Sequence, residues 1–116
     1  MKLENFILLE NVFNDIGITK NWFKALCLGD TKLYNDGYDI VNYYVEDGIC
    51  IINSGSRNNR PFTLDMIKDI ITIVKQHDKV ILSSSVKSMA THIERKYGGY
   101  YNVDKSVYYK GDFKWA

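Results

Sequence analysis

The chain has 116 residues, of which 46% are hydrophobic and 25% are charged, and its formal net charge is +1. This length and composition predict one globular domain over residues 1–116 and exclude an intrinsically disordered chain. The near-neutral charge argues against nucleic-acid binding, because phosphate neutralisation supplies most of the affinity of such proteins.

The cysteines and the apolar segments indicate the cellular compartment. Cys27 and Cys50 are the only cysteines, and we expect two reduced thiols, with a single disulfide as the alternative. The spacing of histidines and cysteines offers no metal site, so we expect no metal. The sequence shows neither a signal peptide nor an apolar run that would span a bilayer. A cytoplasmic protein without a membrane partner is the expectation.

The N-terminal half is predicted to form two helices followed by a hairpin. Apolar residues recur at helical spacing over Leu3 to Ile16 and over Lys20 to Leu28. Tyr38 to Val45 is rich in aromatic and β-branched residues and predicts a strand, as does the apolar run Ile49 to Asn53. The Asp47-Gly48 dipeptide between these runs is typical of a tight turn, which predicts an antiparallel hairpin.

A polar loop and the clearest helix of the chain follow the hairpin. The loop covers Ser54 to Pro61, and the helix covers Thr63 to His77. Its apolar residues recur at helical spacing and are predicted to face the core. These residues are Leu64, Ile67, Ile70, Ile71 and Val74.

The C-terminal part is predicted to be strand, helix and strand. Val80 to Leu82 reads as a buried strand, and a helix begins after a cap at Ser84 or Ser85 and ends at Gly98. Tyr100 to Tyr109 is predicted to be one long strand or a hairpin. Together the elements predict an α/β (α+β) domain.

This order of elements resembles the C-terminal half of the GNAT family of acyl-CoA-dependent N-acetyltransferases, over roughly Tyr38 to Lys110. The resemblance implies a mixed, mostly antiparallel sheet with helices on both faces. It also implies that acetyl-CoA lies where two neighbouring strands splay apart. In the family, the pyrophosphate of this cofactor contacts backbone amides at the start of the following helix, where unpaired N–H groups and the positive dipole end favour an anion.

The family signature at that helix is Gln or Arg, two variable residues, Gly, one variable residue, and Gly or Ala. Arg57 fits the first position of this signature. The resemblance implies that Arg57, Asn59 and Arg60 hold the pyrophosphate, and that the backbone near Ile51 and Ile52 orients the acyl carbonyl group.

The sequence departs from the family pattern at three positions. Arg60 and Phe62 stand where the signature has small residues. The family also has a tyrosine four residues before the glycine that ends the last helix, and it often protonates the departing thiolate. Glu94 occupies that position here and is the candidate catalytic residue. Glu46 and Asp47 are candidate bases for the amine.

Two functions lead at this stage, and a small nucleic-acid-binding module is a third option that the charge disfavours. The first is acyl-CoA-dependent transfer to a primary amine, with coenzyme A and an amine as partners. The alternative is a non-catalytic protein of the GNAT fold that binds or inhibits a partner protein, for example a phage anti-defence or virion-associated protein. Short, divergent relatives occur among phage proteins, so the resemblance also implies a phage origin and the host cytoplasm. The aromatic C-terminus, Phe113 to Trp115, supplies candidate anchors for such a partner.

Overall fold

The computed structural model describes residues 20–56, 61–83 and 87–111. The predicted helix Leu3 to Ile16, the cap at Ser84 or Ser85 and the aromatic C-terminus lie outside these ranges. No helix within the ranges is long and apolar enough to cross a bilayer. The described elements are α1 (Lys20–Leu28), β1 (Asp30–Tyr34), a 3₁₀ helix (Asn35–Gly37), β2 (Asp39–Glu46), β3 (Ile49–Ser56), α2 (Leu64–Gln76), β4 (Val80–Ser83), α3 (Lys87–Tyr97), β5 (Tyr100–Asn102) and β6 (Val107–Lys110).

The strands form one six-stranded sheet in the order β1-β2-β3-β4-β6-β5. Neighbouring strands are antiparallel except β3 and β4, which are parallel and are connected through α2. Helices α2 and α3 share one core with Val41, whereas Trp22 of α1 packs against Ile40. Because adjacent residues of a strand point to opposite faces, the helices cover both faces of the sheet. The predicted mixed, mostly antiparallel sheet flanked by helices is confirmed.

Helix α1 has the bounds that the sequence predicts, and its end lies close to the sheet. Trp22 and Ala25 are buried. At Gly29, which follows the helix, a β-carbon would lie 1.8 Å from the carbonyl oxygen of Tyr43. Only glycine therefore allows the chain to pass from α1 into β1 at this distance from β2.

The predicted hairpin between β2 and β3 is confirmed. Glu46 pairs with Ile49 across Asp47 and Gly48, whose φ angles are 54° and 77°. Two successive residues in the left-handed region give a turn whose twist matches that of the flanking strands. Strand β3 continues to Ser56 and thus includes residues that the sequence assigned to a loop.

Strand β1 was not predicted from the sequence. It lies at the end of the described sheet, and its residues alternate between exposed and half-buried. Charged residues such as Asp30 and Lys32 are common in such edge strands and obscure the apolar pattern of a strand. The turn residues Asn35 and Asp36 have φ angles of 52° and 53° and connect β1 to β2.

Helix α2 is present, but its buried face differs from the predicted one. The hydroxyl of Thr63 accepts a hydrogen bond from the N–H of Met66 at 3.4 Å and caps the helix. Met66, Ile70 and Val74 are fully buried. Leu64 is 72% exposed, so the prediction that it faces the core was wrong. It precedes Met66 by two residues, which places it about 200° away around the helix axis.

Helix α3 buries Met89, Ala90 and Ile93 in the core, as its spacing predicts. Gly99 follows the helix with φ 97°, and a β-carbon there would lie 2.3 Å from the carbonyl oxygen of Tyr109. Of the two predicted forms of the C-terminal segment, the hairpin is the one present, with β5 and β6 antiparallel.

Candidate functional site

The described part of strand β4 ends before strand β3 does, at one end of the sheet. Their pairing runs from Cys50 with Val80 to Asn53 with Ser83. Residues 54–56 of β3 continue beyond this point and pair with β2 on one side. On the other side they have no strand partner within the described ranges. We call this end of the β3–β4 pair the strand opening.

A side-chain bond marks the start of the strand opening. The hydroxyl of Ser54 donates to the carbonyl oxygen of Ser83 at 2.9 Å. This bond ties β3 to β4 just where their backbone ladder ends. Beyond it, Gly55 and Ser56 are buried at the end of β3.

Helix α2 begins at the same end of the sheet, because the connection from β3 spans only residues 57–63. The first N–H groups of a helix, here those of Leu64 and Asp65, have no intrahelical partner. The positive end of the helix dipole lies there as well. The start of α2 therefore has the features that favour an anion next to the strand opening.

A buried carboxylate lies at the same end of the strands. Asp39 opens β2 directly opposite Ser56, and the two residues are 0% and 5% exposed. Neither oxygen of the Asp39 carboxylate, nor the hydroxyl of Ser56, has a hydrogen-bond partner among the described residues. Because a buried polar group without a hydrogen bond is unfavourable, this pair is a place where a ligand or another polar group would gain hydrogen bonds.

The other face of the sheet carries a satisfied polar pair. Asn53 donates to the side-chain oxygen of Asn42 at 2.9 Å, and Asn42 donates to the backbone carbonyl of Trp22 at 3.4 Å. Both asparagines are buried. They link β2 and β3 to helix α1 one residue before the strand opening, which fixes the position of β3 there.

The residues predicted to contact the cofactor fall into two groups. Arg57, Asn59 and Arg60 lie outside the described residues. Ile51 and Ile52 lie where β3 is paired on both sides, and the side chain of Ile52 belongs to the core. Residues 54–56, which within the described ranges pair with β2 alone, come directly after this doubly paired stretch.

Glu94, the candidate catalytic residue, makes a structural contact. Its carboxylate accepts the backbone N–H of Tyr101 at 2.6 Å and thereby connects α3 to β5. The hydroxyl of Tyr108 donates nearby to the carbonyl oxygen of Gly98. Burial, and then the charge of Glu94, raise the pKa of Tyr108 to about 12. Both side chains thus hold the end of α3 against the C-terminal hairpin.

The two candidate bases lie at the other end of the hairpin strands. Glu46 ends β2 and Asp47 is in the turn that leads into β3, whereas the strand opening is at the far end of β3. Glu46 also forms an exposed ion pair with Lys24 at 3.1 Å. The structure therefore does not bring these carboxylates to the strand opening.

The thiols and possible metal ligands add no second site. Cys27 is exposed on α1 and Cys50 is buried in the core, and both are free. Burial raises the pKa of Cys50 to about 11, so this thiol stays protonated. Within the described ranges, no three His, Cys, Asp or Glu residues are grouped to hold a metal ion.

A second polar cluster lies between β1 and α2. The hydroxyl of Tyr34 and the ammonium of Lys32 both contact Oδ2 of Asp69, at 2.7 Å and 2.8 Å. The hydroxyl of Tyr43 donates to Asp30 at 3.2 Å. The two partners of each bond are 13 to 37 positions apart in the chain, so no local sequence pattern could have revealed the cluster.

The Asp69 contacts predict a pH-dependent contribution to stability. Hydrogen bonds from Lys32 and then from Tyr34 lower the pKa of Asp69 from its ordinary value of 3.8. A carboxyl group whose pKa is lower in the folded state than in the unfolded state stabilises the fold at pH values above its unfolded-state pKa. This stabilisation is lost as the pH falls through the folded-state pKa. Asp69→Asn should therefore lower the free energy of unfolding at pH 7 by up to about 1 kcal/mol. Urea titrations should show that the difference shrinks as the pH falls below 3.8, the ordinary pKa of this group, and a constant difference would contradict this account.

Comparison with known proteins yields no family model, no curated protein and no solved structure that matches the chain. The function is therefore inferred from the geometry of the strand opening and from the polar groups around it.

Proposed function

We propose that the chain binds an acyl-CoA at the strand opening and transfers the acyl group to a primary amine. The observation that carries this proposal is the parallel β3–α2–β4 unit, in which α2 begins at the end of β3 that extends past the described part of β4. A parallel strand–helix–strand unit offers a helix N-terminus next to the ends of its strands to one extended ligand. This arrangement agrees with what the resemblance to the GNAT family implies.

The phosphates of the ligand would lie against the start of α2. Arg60 and Phe62 replace the small residues of the family signature, so close approach of phosphate to the backbone is restricted there. We assign part of the attraction to the charges of Arg57 and Arg60 and to the amide of Asn59, since guanidinium groups bind phosphate in a bidentate manner.

The proposed transfer forms a bond between the amine nitrogen and the thioester carbonyl carbon and breaks the carbon–sulfur bond. The amine loses one proton and the coenzyme A thiolate gains one. The acyl carbonyl would lie along residues 54–56, where backbone donors stabilise the developing oxyanion. A thiol has an ordinary pKa of about 8.5, so its thiolate departs without a strong acid. This step therefore does not require Glu94 as a proton donor.

One observation favours a non-catalytic role instead. Glu94 stands at the position of the family tyrosine, and its carboxylate is already committed to the backbone of Tyr101. A protein that keeps this framework without the acid agrees with the second candidate function, the binding or inhibition of a partner protein.

Calorimetry with acetyl-CoA and with coenzyme A tests the proposal directly. We expect both to bind with Kd below about 1 mM, equivalent to about −4 kcal/mol. We also expect thiol release from acetyl-CoA to depend on an added primary amine such as spermidine. Binding without amine-dependent thiol release would favour the non-catalytic protein. No binding at millimolar coenzyme A would exclude the acyl-CoA proposal and leave the partner-binding protein as the leading candidate.

A further inference from the structure

An open pocket of about 350 Å³ lies between strand β1, strand β2 and helix α2. Its floor includes Val41, and Ile73 adds an apolar wall from the helix. Its polar lining includes two Tyr–Asp pairs, Tyr34 with Asp69 and Tyr43 with Asp30. We call this pocket the Tyr–Asp groove. It is separate from the strand opening, which lies at the β3–β4 pair.

One half of the groove already holds a primary ammonium group. The Nζ atom of Lys32 lies 2.8 Å from Oδ2 of Asp69 and 5.1 Å from the centre of the Tyr34 ring. A carboxylate and an aromatic face together are a typical environment for an organic cation. The Lys32 side chain is 66% exposed, so burial does not hold it in this position.

The other half has the same chemical groups without a cation. The carboxylate of Asp30 accepts the hydroxyl of Tyr43, and no Lys or Arg of the described residues forms an ion pair with it. The titratable ring of His77 lies beyond Tyr43, with ring centres 6.5 Å apart. The difference between the two halves is therefore the ammonium group.

We propose that the Tyr–Asp groove binds a primary alkylammonium group at Asp30 and Tyr43. Its alkyl chain lies along Val41 and Ile73, which exclude water from the stem as the lysine stem does in other proteins. The site is independent of the acyl-CoA proposal, because none of its residues belongs to the strand opening.

The alkylammonium group has two sources, a free small amine or a lysine side chain in an extended segment of a protein. Strand β1 ends the described sheet, so an extended segment can add to its edge through backbone hydrogen bonds. Both ligands move groove signals, whereas peptide binding also slows hydrogen exchange of the β1 amides that point away from β2, because the added strand bonds to them.

Amide-resolved NMR titration of the full chain with pentylamine tests the site, with pentanol as the neutral isostere. Signals of Tyr43 and Ile73 should move with pentylamine, and pentanol should bind at least about tenfold more weakly because it lacks the charge-assisted bond. A pentapeptide that contains lysine is compared with the same peptide carrying norleucine in its place. This comparison shows whether the ammonium group can come from a lysine side chain. Equal binding of pentylamine and pentanol would overturn the proposal, as would an absence of groove shifts with both the amine and the lysine peptide.

Variants separate the groove from general electrostatic attraction. Asp30→Asn should weaken pentylamine binding about tenfold, whereas Asp104→Asn, which makes the same charge change in the exposed β5–β6 turn, should leave it unchanged. Lys32→Met removes the resident cation and should strengthen binding, because the ligand then meets both carboxylates without repulsion. Equal losses in Asp30→Asn and Asp104→Asn, or unchanged binding in Lys32→Met, would overturn the assignment. If Asp30→Asn fails to fold, the pentylamine titration of Lys32→Met still tests the proposal.

Discussion

An Ile70→Ala variant is expected to lose about 2–5 kcal/mol of free energy of unfolding, the range observed for buried Leu, Ile and Met truncations. Ile70 is completely buried in the core that α2 forms with the sheet and with α3. Truncation to alanine removes apolar contacts and leaves a cavity that close-packed neighbours fill only in part. Because small domains have a total stability of about 5–15 kcal/mol, the loss is a large fraction of the whole.

Two neighbouring substitutions serve as matched controls for Ile70→Ala. Ile71 is only partly buried beside the same core, so Ile71→Ala should have a smaller effect. Leu64 is exposed at the start of the helix, and Leu64→Ala should change the stability by less than about 0.5 kcal/mol. Urea unfolding with unchanged m-values measures all three. If Ile71→Ala were more destabilising than Ile70→Ala, the helix would be rotated relative to the one described.

The rotation of α2 about its axis could not be predicted from the sequence. The helix carries isoleucine at positions 67, 70, 71 and 73, so apolar residues extend around more than one face. Several rotations of the helix about its axis then satisfy the apolar periodicity nearly equally well. Contact with the sheet decides among them and selects Met66, which the sequence pattern did not single out. The existence of the helix follows from local preferences, but its rotation follows from packing.

The candidate site was likewise predicted only in part from the sequence. The order of strand, loop, helix and strand predicted a helix N-terminus beside the end of β3, and α2 does begin there. The buried polar residues could not be predicted, because a single Asp or Asn in a strand gives no sign of which face it occupies. Asp39 and Asn42 are three residues apart and lie on opposite faces of β2. The Tyr–Asp groove depends on β1, a strand that the sequence did not predict at all.

Reversal of both loop arginines, Arg57→Glu with Arg60→Glu, is expected to weaken coenzyme A binding by more than 100-fold. Each charge-assisted hydrogen bond contributes about 1.5–3 kcal/mol, and two such losses correspond to about 3–6 kcal/mol. The glutamates also repel the phosphates. The measurement is calorimetry with coenzyme A on the full chain. As a matched control, Arg95→Glu with Lys96→Glu makes the same charge change in the exposed last turn of α3, at the other end of the sheet from the opening, and should bind as the wild type does.

The interpretation of a loss of binding in the arginine double variant depends on whether these arginines also contact Asp39. Its buried carboxylate has no hydrogen-bond partner among the described residues, and in the sequence Arg57 directly follows Ser56, the residue opposite Asp39. If an arginine of the loop neutralises Asp39, the double reversal also destabilises the fold, because it leaves like charges together in a buried place. Addition of Asp39→Asn should then restore the melting temperature while coenzyme A binding stays absent. If the triple variant regained both stability and binding, the arginines would serve the fold alone, and the phosphates would have to be held by the amides at the start of α2.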